Sequence, residues 1–178
     1  MSNIPTTSVL LIDGSHDQRV YWAEQLKQCS TDYEIIEASD GRSGLNIYRS
    51  RRIDCVVLEL ELPDLSGFEV LMTLVPQASK PRIAVIVLTN LTYRGLWEVA
   101  KNNGAYVCFA KQHTTGDDLD RTIQRAITFV GQMPKEDRYR PILSELGRLP
   151  HTSTSPTHPV ANSSATALGA HTPSHAHR

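Results

Sequence analysis

Cys55-Val56-Val57-Leu58 runs into Glu59, and Pro63-Asp64-Leu65-Ser66-Gly67 follows before the chain turns apolar again at Phe68. A short run with no polar alternation reads as a strand buried on both faces, the mark of a parallel sheet. Pro, Asp, Ser and Gly together are turn chemistry. Working outward, three other runs behave in the same way: Val9-Leu10-Leu11-Ile12 ends in Asp13, Ile83 to Leu88 in Thr89, and Val107 to Ala110 in Lys111. Two acids, a hydroxyl and an amine therefore hold the same relative place on four separate elements. The strand ends of a parallel sheet open onto one crevice, where open α/β sheets bind ligands, so Asp13, Glu59, Thr89 and Lys111 are expected to converge on one site.

The intervening stretches carry helical spacing. Ser15 is positioned to cap a helix through Val20, Trp22, Ala23 and Leu26 to about Cys29. A strand is predicted over Tyr33 to Ala38, a helix over Gly41 to Tyr48, a strand over Asp54 to Leu60 and a helix from Phe68 to about Leu74. The fourth helix is predicted from about Thr92 to Asn102, stopped by Asn103-Gly104. After a strand over Tyr106 to Ala110, a last helix runs from about Gly116 to Val130 on the stripe Leu119, Ile123, Ile127 and Val130. Strand and helix alternate throughout, which specifies a doubly wound α/β fold with right-handed crossovers.

The 178 residues suit one ordinary domain, expected over 8–131, and a remainder. Residues 132–150 read as a linker or short helix, interrupted by Pro141, and 151–178 as a disordered tail rich in Ser, Thr, Pro and His. The tail histidines His151, His158, His171, His175 and His177 lack the rigid frame of a metal site. A formal charge of −1 and no visible Lys/Arg-loaded face argue against nucleic acid and anionic membranes. No apolar stretch is long enough to span a bilayer, and no export signal opens the chain. Cys29, Cys55 and Cys108, odd in number and set in periodic segments, suit reduced thiols and a cytoplasmic location.

Asp13, the run Leu62 to Leu71 (Leu-Pro-Asp-Leu-Ser-Gly-Phe-Glu-Val-Leu), Leu88-Thr89, Gly104-Ala105 and Lys111, in that order and spacing, resemble the receiver domain of two-component response regulators. The resemblance covers about Val9 to Gly131. It implies a doubly wound, five-stranded parallel sheet flanked by five helices, the flavodoxin-like receiver fold. It also implies an acid pocket that binds magnesium and takes a phosphoryl group from a histidine kinase onto an aspartate.

By that resemblance the phosphoacceptor position is Glu59, four residues before Pro63, where the family carries Asp. The longer side chain moves the carboxylate outward, and a displacement of about 1 Å can cost on the order of a hundredfold in rate. Set against the family's aspartate, Glu59 is expected to imitate the charged, occupied state rather than to accept phosphate. Gly14 stands where the family has a second acid for magnesium, Asn90 where it favours a small residue, Cys108 at the aromatic switch position and Gln112 where proline is usual. Only a weak Mg²⁺ site at Asp13 and Glu59 is then expected, and no other cofactor.

The matching residues suffice for a polar cluster in which Lys111 pairs with Glu59 and Asp13 and Thr89 donates to either. The plainer alternatives stay open: Asp13 accepting backbone N–H groups at its turn, Thr89 capping the fourth helix, Lys111 as counter-ion only. Tyr93 and Trp97, four apart on that helix, are either an interaction face or packing on the last strand. The leading expectation is a non-enzymatic, phosphorylation-independent signalling module that meets a protein partner, a histidine kinase or a signalling target. The alternative is a Mg-dependent phosphoacceptor with residual activity in a phosphorelay. A DNA-binding regulator is disfavoured because the residues after Gly131 offer no second core. Dimerisation stays open.

Overall fold

The computed structural model describes residues 6–132. The expectations for a linker or short helix over 132–150 and a tail over 151–178 thus lie, from residue 133 on, outside the described residues. The elements alternate as β1 (Thr7–Ile12), α1 (His16–Cys29), β2 (Tyr33–Ala38), α2 (Gly41–Ser50), β3 (Cys55–Leu58) and α3 (Gly67–Leu74). They continue as β4 (Ala84–Thr89), α4 (Leu96–Asn102), β5 (Val107–Ala110), a short 3-10 turn (Lys111–His113) and α5 (Gly116–Gly131). The strands form one sheet in the order β2-β1-β3-β4-β5, every pair parallel.

The absence of alternation in the strands has its cause in the two layers. Val9 and Leu11 pack with Trp22, Leu26, Leu119 and Ile123 under α1 and α5. Leu10 and Ile12, pointing the other way, pack with Leu45, Leu71, Leu74, Leu96 and Ala100 under α2, α3 and α4. Each residue from Val9 to Ile12 faces one core or the other, whereas the edge strand β2 exposes Glu34 and Glu37.

Capping fixes where helices begin. The Ser15 side chain accepts from Gln18 N–H at α1, and Asp40 accepts from Ser43 N–H at α2. Reciprocal capping boxes, Ser66 with Glu69 and Thr115 with Asp118, open α3 and α5. At Gly67 a β-carbon would lie 2.4 Å from the Glu59 carbonyl oxygen, so only glycine lets α3 start directly beneath the end of β3.

Beyond shifts of a residue or two at element ends, the described fold departs from expectation at two places. Helix α4 begins at Leu96, not near Thr92, because Gly95 at φ 83 holds a left-handed conformation that a helix interior does not contain. Tyr93 therefore precedes the helix rather than sharing it with Trp97. The second departure is electrostatic. A basic face does exist: the last turn of α2 and the residues leading into β3 and β4 meet at the N-terminal end of the sheet, bringing Arg49, Arg51, Arg52 and Arg82 around one groove. Arg49, Arg51 and Arg52 are near neighbours in the sequence, and only Arg82 is brought to them by the fold.

Candidate functional site: a buried acid-lysine pocket

At the opposite, C-terminal end of the sheet the four polar strand ends do meet. In-register pairing sets this up: Ile12 is paired with Leu58, Leu58 with Val87, and Thr89 with Ala110, so the residues following each strand emerge side by side. Asp13, Glu59, Thr89 and Lys111 are all at most 8% exposed.

Lys111 is the hub. Its Nζ lies 2.5 Å from Asp13 Oδ2 and 2.7 Å from Glu59 Oε2. The Thr89 hydroxyl donates to Glu59 Oε1 and accepts the Leu91 N–H at 3.2 Å. Glu59 Oε1 also accepts the N–H groups of Leu60 at 2.7 Å and Glu61 at 3.2 Å. Asp13 Oδ1 accepts the Ser15 N–H at 2.8 Å, and the Asp13 carbonyl accepts from Arg19 at 2.6 Å. Two buried like charges are thus held close by one ammonium and a ring of backbone donors, as buried charges require.

Asp13 performs both roles offered for it, turn acceptor and partner of Lys111. Thr89 does not cap α4, whose start at Gly95 has no side-chain cap; its hydroxyl is committed to Glu59 and Leu91.

The other positions surround this cluster. Gly14 is exposed, and a β-carbon there would sit 3.0 Å from Pro63 Cδ. Asn90 and Gln112 are exposed, beside Thr89 and Lys111. Cys108 is buried on β5, and burial, then the Glu59 charge, pushes its thiol up to about 11. Tyr93 and Trp97 are 56% and 51% exposed.

Two residues of the site carry no clear signal in the sequence. Arg19, in α1, reaches back to the Asp13 carbonyl, and its Nε lies 3.3 Å from Glu37 Oε2. Asp64, within the turn read as loop chemistry, accepts the N–H groups of Gly41, Arg42 and Leu65 at 2.7–3.0 Å, tying the β3–α3 loop to the start of α2. Its place just ahead of the Ser66 capping box is the one hint that it is more than a loop residue.

Comparison with known proteins agrees with this architecture. The family described as response regulator receiver domain matches residues 9–124. A protein-glutamate methylesterase/protein-glutamine glutaminase from Myxococcus xanthus is 32% identical over 123 residues, which are 67% of this chain and 34% of that one. The sporulation initiation phosphotransferase F of Bacillus subtilis is 26% identical over 103 residues, 58% of this chain and 80% of that one. Among solved structures, a receiver domain protein from Clostridium thermocellum superposes with a TM-score of 0.60 at 28% identity, covering 69% of this chain and 95% of that one. A CheY-like receiver from Methanospirillum hungatei gives 0.62 at 20% identity, a likeness of fold, covering 71% and 97%. The chain spans about a third of the Myxococcus enzyme, and that enzyme's activity belongs to that protein. With its matched family segment, its five parallel strands and its clustered strand-end residues, the chain belongs to the response regulator receiver domain family.

Proposed function

We propose that this receiver works as a signalling and protein-interaction module whose acid pocket is permanently satisfied from within, so that its conformation does not await phosphorylation. The observation that carries the reading is the double pairing of Lys111 with Asp13 and Glu59. Both carboxylate oxygens of Glu59 are committed, Oε2 to Lys111 and Oε1 to the Thr89 hydroxyl and two backbone N–H groups. A carboxylate that is to attack phosphorus must release an oxygen lone pair, and here release breaks a charge-assisted bond at a buried site. Glu59, standing for the acceptor aspartate of relatives, is in this reading a built-in occupant of the pocket.

Magnesium suits this donor set poorly. The ion asks for near-octahedral oxygen ligands, yet Gly14 offers no carboxylate and the inner oxygens of Asp13 and Glu59 face an ammonium. No resident metal enters the proposed mechanism. The output face is the exposed pair Tyr93 and Trp97, large amphipathic side chains of the kind that anchor interfaces. A protein partner in a two-component pathway is the partner proposed, with the cytoplasm as its setting. Among the described residues no helix is long and apolar enough to cross a membrane.

Intact-mass measurement after incubation with acetyl phosphate and Mg²⁺ tests the reading. The wild-type chain is expected to stay unmodified, and a Mg-dependent gain of one phosphoryl group on Glu59 overturns the proposal. Glu59→Asp alone is expected to restore little modification, because Gly14 and Asn90 remain. Adding Asn90→Ala and Gly14→Asp is expected to help further, although the introduced β-carbon meets Pro63 Cδ at 3.0 Å.

A further inference from the structure

The end of the sheet remote from the acid pocket carries a groove of about 540 Å³ that the receiver chemistry does not use. Its floor is apolar and spans both layers: Tyr48 packs with the core beneath α2, α3 and α4, while Ile127 and Val130 belong to the core beneath α1 and α5. Its rim is cationic. Arg49, Arg51, Arg52 and Arg82 line it, against one carboxylate, Asp54.

The four arginines are not equivalent. Arg51 pairs with Glu34, and Arg52 with Asp54 at 3.1 Å, while Asp54 also accepts the Ser8 N–H at 3.0 Å. Arg49 and Arg82 have no carboxylate partner among the described residues. The chain as a whole has a formal charge of −1, so this concentration is local rather than a reflection of a basic protein. Gathering guanidinium groups raises the energy of the compact state by self-repulsion, which an anionic ligand relieves. The guanidinium fork matches phosphate oxygens two at a time, and several forks on one small group suit a group of multiple negative charge better than a single carboxylate. The volume falls within the range of small-molecule sites, and an apolar floor beneath a few convergent polar groups is their usual make-up.

We propose that this groove binds a phosphorylated small molecule of nucleotide size, with its phosphates against Arg49 and Arg82 and its flat body over Tyr48, Ile127 and Val130. The site is independent of the acid pocket and of the function proposed for it.

Calorimetric titration of the full chain with ADP, and separately with pyrophosphate, at low and at physiological salt tests this. Saturable one-to-one binding of ADP is expected, tighter than that of pyrophosphate. In the exposed double variant Arg49→Gln/Arg82→Gln, checked for folding by circular dichroism, ADP affinity is expected to fall at least about tenfold, since a hydrogen bond to a charged group is worth ~1.5–3 kcal/mol. Tyr48→Leu is expected to weaken ADP while sparing pyrophosphate. The proposal is overturned if ADP does not saturate, or if it binds the double variant as well as the wild type. It is equally overturned if a heptaglutamate peptide or an oligonucleotide binds where ADP does not, which would make the groove a macromolecular interface.

Discussion

The two ends of this sheet handle charge in opposite ways. At the C-terminal end, one cation and two anions are buried together, each oxygen given a donor, and the charges are structural because they cannot reach water. At the N-terminal end, four arginines stand in the open, and among the described residues two of them are paired with carboxylates and two are not. The residue chemistry is alike, and burial decides the difference. A buried charge must be matched by the protein itself, whereas an exposed one is hydrated and stays available to something else.

The sharpest way to break that contrast is Lys111→Met. Removing one member of a buried charge group leaves the others uncompensated, so the variant is expected to lose about 3–5 kcal/mol in denaturant melts near neutral pH. Combining it with Glu59→Gln is expected to recover part of the loss, because the two acids then no longer repel as a pair. A loss below about 1 kcal/mol would put Lys111 among the solvated charges and dissolve the distinction between the two ends.

A middle case lies at the start of β2. The Tyr33 hydroxyl donates to Asp120 at 2.5 Å and accepts from Gln124 at 2.7 Å, both on α5. Tyr33→Phe is expected to cost about 1 kcal/mol, the net worth of a typical hydrogen bond. Burial, then the bond to Asp120, raises the phenol above its ordinary value near 10. The folded state therefore holds this proton more tightly than the unfolded chain does. The stabilisation is complete below about pH 10 and is lost as pH rises beyond it. Chemical melts of wild type and variant from neutral pH to above 10 should converge; a gap that widens with pH would contradict the assignment.

The smallest effect belongs to the open end. Arg51→Ala removes the partner of Glu34 at the surface, where an ion pair competes with water and loses side-chain freedom. The denaturation midpoint is expected to stay unchanged within error at physiological salt. A clear drop would mean that the arginine rim is part of the scaffold rather than a surface left for a ligand.

The strands and the convergence of Asp13, Glu59, Thr89 and Lys111 are legible in the sequence because both depend on local pattern. An unbroken apolar run implies burial on both faces, and a parallel sheet aligns whatever follows each run. Boundaries read less well: β3 ends at Leu58 rather than Leu60, since Leu60 is already held by its own N–H bond to the Glu59 side chain. The start of α4 escapes a reading of periodicity because the left-handed conformation of Gly95 leaves no trace in hydrophobic spacing. Arg49, Arg51 and Arg52 stand together in the sequence, but their meeting with Arg82 escapes for a different reason. Arg82 is far along the chain from Arg52 and joins it only through the side-by-side pairing of β3 and β4. Arg19 and Asp64 act on backbone groups of neighbouring elements, a function with no spacing rule.

Strand β3 has four residues, roughly 13 Å from end to end, and it sets the minimum separation of the two charged regions. At physiological salt the Debye length is about 8 Å, and the arginines are open to the ions that produce it. The acid pocket is sealed from those ions, so salt damps the field of the arginine end in solvent but much less along the buried strands that join the two regions. Raising the ionic strength therefore weakens what the arginine end offers to a ligand while leaving the pairing of Lys111 with its two acids nearly untouched.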